Sequence, residues 1–212
     1  MTPAVRAVSG DRLLAHADGV RAVYADAFGG PPWREAPEHA DAYLERLAND
    51  VHRPGFTAAL AFDGATVLGW ATAWTTPDPF PASRRHPQVS AALGAERTGD
   101  WLCGAREVDE LAVAGHARGT GLGGWLLGAV TAGRADGRCW LMTSVAACGA
   151  LAFYQREGWR QATHPAPGGV GHAAFLGPRH PARTAAPGPW CPSERSCENR
   201  GLRTGGHRRT GP

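Results

Sequence analysis

HARGTGLGGWLLGAV, residues 116–130, is the stretch on which the reading of this chain turns. Four glycines fall within the six residues 119–124, and an apolar run with helical character follows at once. A glycine-rich turn that feeds a helix N-terminus is a place for an anion. The first N–H groups of the helix have no intrahelical acceptor, and the helix dipole points the same way. The question is which phosphate such a cradle would hold.

Working outward, EVDELAVA (107–114) reads as a strand leading into the loop, and the helix that follows runs to about Arg134. CWLMTSV (139–145) is the next strand, ALAFYQREGW (150–159) a short helix stopped by Gly158, and GHAAFLG (171–177) a last short strand. Towards the N-terminus, AVRAVSG (4–10) reads as a strand. DRLLAHADGVRAVYADAFGG (11–30) reads as one helix capped by Asp11, with Leu14, Val20, Val23 and Ala27 at helical spacing. EHADAYLERLANDV (38–51) is a second helix. GFTAALAFDGATVLGWATAWTT (55–76) is a hairpin turning at Asp63-Gly64. Residues 77–106 are rich in turn formers and read as a long irregular loop.

Three phosphate loops compete. A Walker A loop ends in Gly-Lys-Ser/Thr, and this chain has no lysine. A dinucleotide fingerprint is literally present as Gly119, Gly121 and Gly124. It should open the first βαβ unit, with an acid at the end of a second strand about 20 residues on. Here the region around 139–143 reads CWLMT. The third reading takes in the neighbours: ELAV, then Arg118-x-x-Gly121-x-Gly123, then an apolar helix, then one strand, then Ala150, Phe153, Tyr154, Gly158 and Trp159 in ALAFYQREGW. These two motifs in this order resemble the acetyl-CoA signature of the GNAT superfamily of N-acetyltransferases, over roughly residues 4–177.

That resemblance implies an α/β fold: a mixed, mostly antiparallel central sheet, splayed between strands 107–114 and 139–145 around an acetyl-CoA slot, with helices on both faces. It implies that Arg118, Gly119, Thr120, Gly121, Leu122 and Gly123 hold the coenzyme pyrophosphate, where glycines let the backbone approach without a Cβ. The pantetheine arm would pair with the backbone of Leu111, Ala112 and Val113. Tyr154 stands at the tyrosine that protonates the departing thiolate. The base that takes the amine proton is left open between Asp109, Glu107 and a water chain with no single protein base; strict strand alternation puts the two acids on one face and Glu110 on the other. Ala147 departs from the pattern, since the family often has Asn there to hold the coenzyme arm. No metal is implied.

The acceptor is read from loops. Trp33 and Glu35, with Trp101 from the long loop and Glu110 from the strand, suit an aromatic, carboxylate-bearing site for a small cationic amine, of aminoglycoside or polyamine type. A protein N-terminus or lysine is the alternative acceptor, and an acyl-CoA-binding module with little catalysis is the rival from another class. The expected partners are therefore a small-molecule amine, with the chain a monomer or homodimer.

Composition bounds the rest. The net charge is +3, but residues 178–212 carry seven Arg against two Glu, so the first 177 residues are slightly acidic. That argues against a nucleic-acid-binding core. No stretch approaches the roughly 20 apolar residues of a membrane span, and the N-terminus lacks a signal-peptide core, so a cytoplasmic chain is expected. The five cysteines show no metal or framework spacing and read as free thiols. The division expected is an acetyltransferase domain over 1–177 and a disordered Pro/Gly/Arg-rich tail over 178–212.

Overall fold

The computed structural model describes residues 3–164 and 171–188. Seven strands form one sheet: β1 (Ala4–Val8), β2 (Thr57–Asp63), β3 (Thr66–Thr75), β4 (Arg106–Val113), β5 (Cys139–Ser144), β6 (Arg160–Gln161) and β7 (His172–Leu176). Their order across the sheet is β1-β2-β3-β4-β5-β7-β6. Every pairing is antiparallel except β4 with β5. The helices are α1 (Gly10–Leu14), α2 (Ala17–Phe28), α3 (Glu38–Asp50), α4 (His86–Leu93), α5 (Ala95–Arg97), α6 (Leu122–Thr131) and α7 (Cys148–Arg156).

They cover both faces, as two adjacent residues of β3 make plain. The Trp70 indole donates to the Tyr43 hydroxyl of α3 at 2.8 Å, while Gly69, pointing the other way, lies against Leu126 of α6. Trp70, Leu60, Leu126 and Phe175 are sealed in the main core. A second apolar cluster gathers Val89, Leu93, Leu102, Trp140 and Leu176.

Several expectations shift. The first helix is broken into α1 and α2, and Ser9 rather than Asp11 caps it, its hydroxyl accepting from the Arg12 N–H at 3.3 Å. The hairpin turn lies one residue on, at Gly64 and Ala65, with Asp63 opposite Thr66. The supposed loop 77–106 contains α4, α5 and a π-helical turn over Thr98–Leu102. Burial of Val89, Leu93 and Leu102 in the second cluster stabilises helices that the turn-rich sequence conceals; Pro87 in the first turn was the legible sign.

The C-terminal boundary also moves. Residues 178–188, assigned above to the tail, pack on the domain. A 3₁₀ turn spans Pro181–Ala185, buried His180 donates through Nε2 to the Trp101 carbonyl at 3.0 Å, and Arg183 donates to the Gly158 carbonyl at 3.1 Å. The rest of that expectation, 189–212, lies outside the described residues. Cys103 and Cys139 are free thiols, but Cys148 is disulfide-bonded, which spacing alone does not reveal. Among the described residues no helix is long and apolar enough to cross a membrane.

Candidate active site

The sheet opens where the resemblance requires it. β4 and β5 pair only at Arg106–Cys139, Glu107–Trp140 and Val108–Leu141. Beyond Val108 the two strands part, leaving β4 from Glu110 to Val113 paired with β3 alone. The stretch Leu111–Val113 therefore turns one backbone edge, unpaired by any strand, to the gap, with the Val113 carbonyl on it accepting from Arg118.

At the end of that gap lies the glycine loop. Gly121 takes a left-handed conformation (φ 87°) and caps α6, whose first backbone bond runs from the Trp125 N–H to the Gly121 carbonyl. The N–H groups from Gly119 to Gly124 have no backbone partner outside helix and strand pairing among the described residues. A Cβ placed on Gly119 would meet nothing within 4 Å. The loop is therefore an open row of donors at a helix N-terminus, which fits a pyrophosphate. Thr120 steadies it through its hydroxyl, which donates to the Ala117 carbonyl at 2.7 Å. Leu122 is buried and anchors the start of α6. Arg118 is turned back, donating to the Val113 carbonyl at 3.2 Å, so it ties the loop to β4. Gly123 lets α6 approach α7: a Cβ there would lie 3.2 Å from the Phe153 ring. Ala147 is buried at the N-terminus of α7, where no side chain caps the helix.

The carboxylates of β4 are rearranged by a bulge. Thr72 of β3 faces Glu110 and Ala73 faces Val108, so Asp109 is an extra residue without a partner on β3. Strict alternation fails there. Asp109 and Glu110 reach the same two arginines, whereas Glu107 goes elsewhere. Arg46 of α3 donates to both Asp109 oxygens and to Glu110 Oε1, each at 3.3 Å. Arg84 donates through Nη1 to Asp109 Oδ1, and its Nη2 lies 3.7 Å from Glu110 Oε1. Asp109 is 2% exposed and Glu110 20%. Burial first, and then the charge of Asp109, raises the Glu110 pKa to about 8 against the pull of Arg46 and Arg84.

Glu107 is buried beneath His86, which bonds Oε1 through Nε2 at 2.9 Å and the Ser83 carbonyl through Nδ1 at 2.9 Å. Burial pulls the His86 pKa down, but the hydrogen bond and charge of Glu107 outweigh it and leave it above its ordinary value. Both ring nitrogens are thus engaged, which fixes the imidazole between the Ser83 carbonyl and the Glu107 carboxyl. Phe80 and Trp140 stack edge-on to the same imidazole, so Glu107 is shut away from the gap.

Tyr154 of α7 packs its ring against Phe153, Trp159 and Phe175. Its hydroxyl has no hydrogen bond among the described residues. Burial, and behind it the charge of Glu110, holds the phenol above its ordinary pKa, which keeps it protonated and places it in the electrostatic reach of that carboxylate. On the acceptor side, Tyr24 donates to Glu35 at 2.6 Å, and Trp33 meets Phe28 edge-on at 5.6 Å. Glu35 also acts on Glu110 by charge. Glu35 is thus within electrostatic reach of Glu110, and Trp33 packs on Phe28, whose ring lies against Tyr24. Trp101 does not join them: it belongs to the second core cluster, with Arg97 over its ring at 5.3 Å. Arg46 and Arg84 were not singled out in the sequence, because nothing in their local spacing places them opposite β4.

No protein-family model and no curated protein matches the sequence. Solved structures do match the fold. A protein from Desulfovibrio desulfuricans assigned to the GNAT family of acetyltransferases is 22% identical, with 82% of this chain and 96% of that one covered and a TM-score of 0.54. A Corynebacterium glutamicum protein described as histone acetyltransferase HPA2 and related acetyltransferase is 19% identical over 91% and 99% of the chains, at 0.54. The PaiA N-acetyltransferase of Thermoplasma acidophilum, in complex with coenzyme A, is 15% identical over 83% and 99%, at 0.53. The mixed sheet with its splay and glycine loop is the GNAT fold.

Proposed function

We propose that the protein transfers an acetyl group from acetyl-CoA to a primary amine of a small molecule, by direct attack in a ternary complex. The observations that carry this reading are the backbone edge of β4 left unpaired by β5, the open row of N–H donors at the start of α6, and a Tyr154 phenol that burial holds above its ordinary pKa. Bound acetyl-CoA would supply the activated acyl group as a thioester, along a slot whose backbone donors and acceptors fit its pyrophosphate and pantetheine. Glycines 119–123 and the free edge of Leu111–Val113 would hold it there.

The geometry favours Glu110 as the base. Asp109 is saturated by two guanidinium groups and Glu107 is enclosed, whereas Glu110 is partly open and titrates in the range where a base is effective. The amine's lone pair attacks the acyl carbon, and a C–N bond forms as the C–S bond breaks. An ammonium acceptor first gives one proton to Glu110 to free its lone pair; after attack, Tyr154 gives its proton to the departing sulfur and the phenolate takes the second nitrogen proton. The amide and free thiol account for every atom, and proton exchange with solvent resets Glu110. Trp33, Glu35 and Glu110 support an ammonium-bearing acceptor on this side.

The test is a screen of amines for acetyl-CoA-dependent release of free thiol. Release with at least one acceptor supports the reading. If acetyl-CoA raises the melting temperature but no amine in a broad panel releases thiol, the chain is a binding module and not this enzyme.

A further inference from the structure

Arg84 is placed with unusual care for a surface arginine. Its backbone is left-handed (φ 57°), a conformation costly for any residue with a Cβ. The segment is latched from beneath: the His86 ring bridges the carbonyl of Ser83, the preceding residue, and the buried Glu107. Yet its side chain remains 38% exposed. Backbone strain and a buried His86–Glu107 hydrogen bond are thus used to present one guanidinium beside Asp109 and Glu110.

The guanidinium is also incompletely used. Side-on recognition of a carboxylate employs the Nε and Nη2 edge. Elsewhere in this chain Arg21 grips Asp41 through that edge, at 2.5 and 3.1 Å, and Arg134 grips Asp136, at 3.1 and 2.6 Å. Arg84 holds Asp109 through Nη1 instead. Its Nε and Nη2 make no hydrogen bond among the described residues, and neither is a buried unpaired atom. The open edge lies on the Glu110 side, since Nη2 is 3.7 Å from Glu110 Oε1.

Charge points the same way. The carboxylates Asp109 and Glu110 are the more buried members of the cluster and Arg46 and Arg84 the more exposed. An entering molecule therefore meets guanidinium before carboxylate, which disfavours a polycation and suits a molecule carrying both signs. We propose that the acceptor is an amino acid in its zwitterionic form, its carboxylate received on the open Nε/Nη2 edge of Arg84 and its amine directed to Glu110. The short separation of Nη2 from Glu110 Oε1 selects α- or β-amino acids over longer spacings. His86 and Glu107 are positioning residues that set Arg84. This substrate class rests on the acetyl-transfer reading.

The experiment uses the full chain and two readouts. In the first, thiol release is compared for amino acids, their carboxamides and plain alkylamines. Amino acids should exceed their carboxamides at least tenfold in kcat/KM. Arg84→Gln should erase that difference chiefly through KM. His86→Gln, checked for folding by circular dichroism, should raise KM for amino acids and leave it unchanged for carboxamides, whereas loss of general structure would raise both. In the second, binding of N-acetylglycine and N-acetyl-β-alanine is measured by calorimetry in the presence of coenzyme A, against N-ethylacetamide. The acids should bind at least tenfold more tightly, and Arg84→Gln should remove the difference. Carboxamides or alkylamines that match or exceed amino acids, or acids that bind no better than N-ethylacetamide, overturn the proposal. Binding of the acids through Arg84 without thiol release from any amine would leave the carboxylate site standing and reject acetyl transfer. Thiol release without carboxylate preference would do the reverse.

Discussion

In the proposed transfer, Glu110 and Tyr154 would divide two proton movements between a carboxyl and a phenol, and their environments would set the direction of each. A base works when deprotonated. With a pKa raised to about 8, Glu110 carries its proton at neutral pH and loses it as the pH rises. Turnover should therefore climb about tenfold per pH unit below pH 8 and level off above it. Glu110→Gln should abolish that limb and cost on the order of 100-fold in kcat, read from a pH–rate profile with a competent amine. Tyr154→Phe should lower kcat by a similar order of 100-fold while the affinity for coenzyme A, measured by calorimetry, changes little. An unchanged rate would remove Tyr154 from the proton path. The positions of all three carboxylates of EVDELAV were legible in the sequence, but their division of labour was not. Alternation grouped Glu107 with Asp109; the bulge at Asp109 regroups it with Glu110 and leaves Glu107 to His86.

At the scale of elements, α6 and its leading loop show that glycine means different things within one helix. Gly121 is left-handed at the cap, where a Cβ adds roughly 1–2 kcal/mol of strain. Gly128 is exposed within the helix, and a Cβ there meets nothing within 4 Å. Gly121→Ala should lower the melting temperature by several degrees and weaken coenzyme A binding. Gly128→Ala should raise stability by about 0.5–1 kcal/mol, because alanine loses less backbone freedom on folding. Paired thermal melts check the opposite signs. Gly124 needs no ligand to explain it: the Glu157 carboxylate lies 2.9 Å from where its Cβ would stand.

At the scale of the whole molecule, the C-terminal segment 178–188 closes the second cluster. Ala186 is buried, and Arg160 donates to its carbonyl at 2.9 Å. Removal of residues 178–212, compared with the full chain under reducing conditions so that the disulfide of Cys148 plays no part, should lower the melting temperature by about 5 °C or more. Loss of the His180 and Arg183 hydrogen bonds, at about 1 kcal/mol each, and exposure of Trp101 account for the direction. An unchanged melting temperature would return these residues to the tail.

By itself the sequence determined the order of strands and helices around HARGTGLGGWLLGAV, the α/β class, and the glycine-rich turn into a helix N-terminus that the proposed function uses as an anion cradle. Those are local matters: periodicity, turn chemistry and the missing Cβ act over a few residues. It also marked Tyr154 and the acids of β4 as candidates. Only the tertiary structure decided where the sheet parts, which carboxylate is locked and which is free, and that Arg46 and Arg84 come to the site while Trp101 leaves it. Those depend on contacts between residues 25 to 64 positions apart, such as Arg84 with Asp109 and Arg46 with Glu110, and on one extra residue in β4. Such contacts arise from packing distant elements against one sheet, and no short window of sequence contains them.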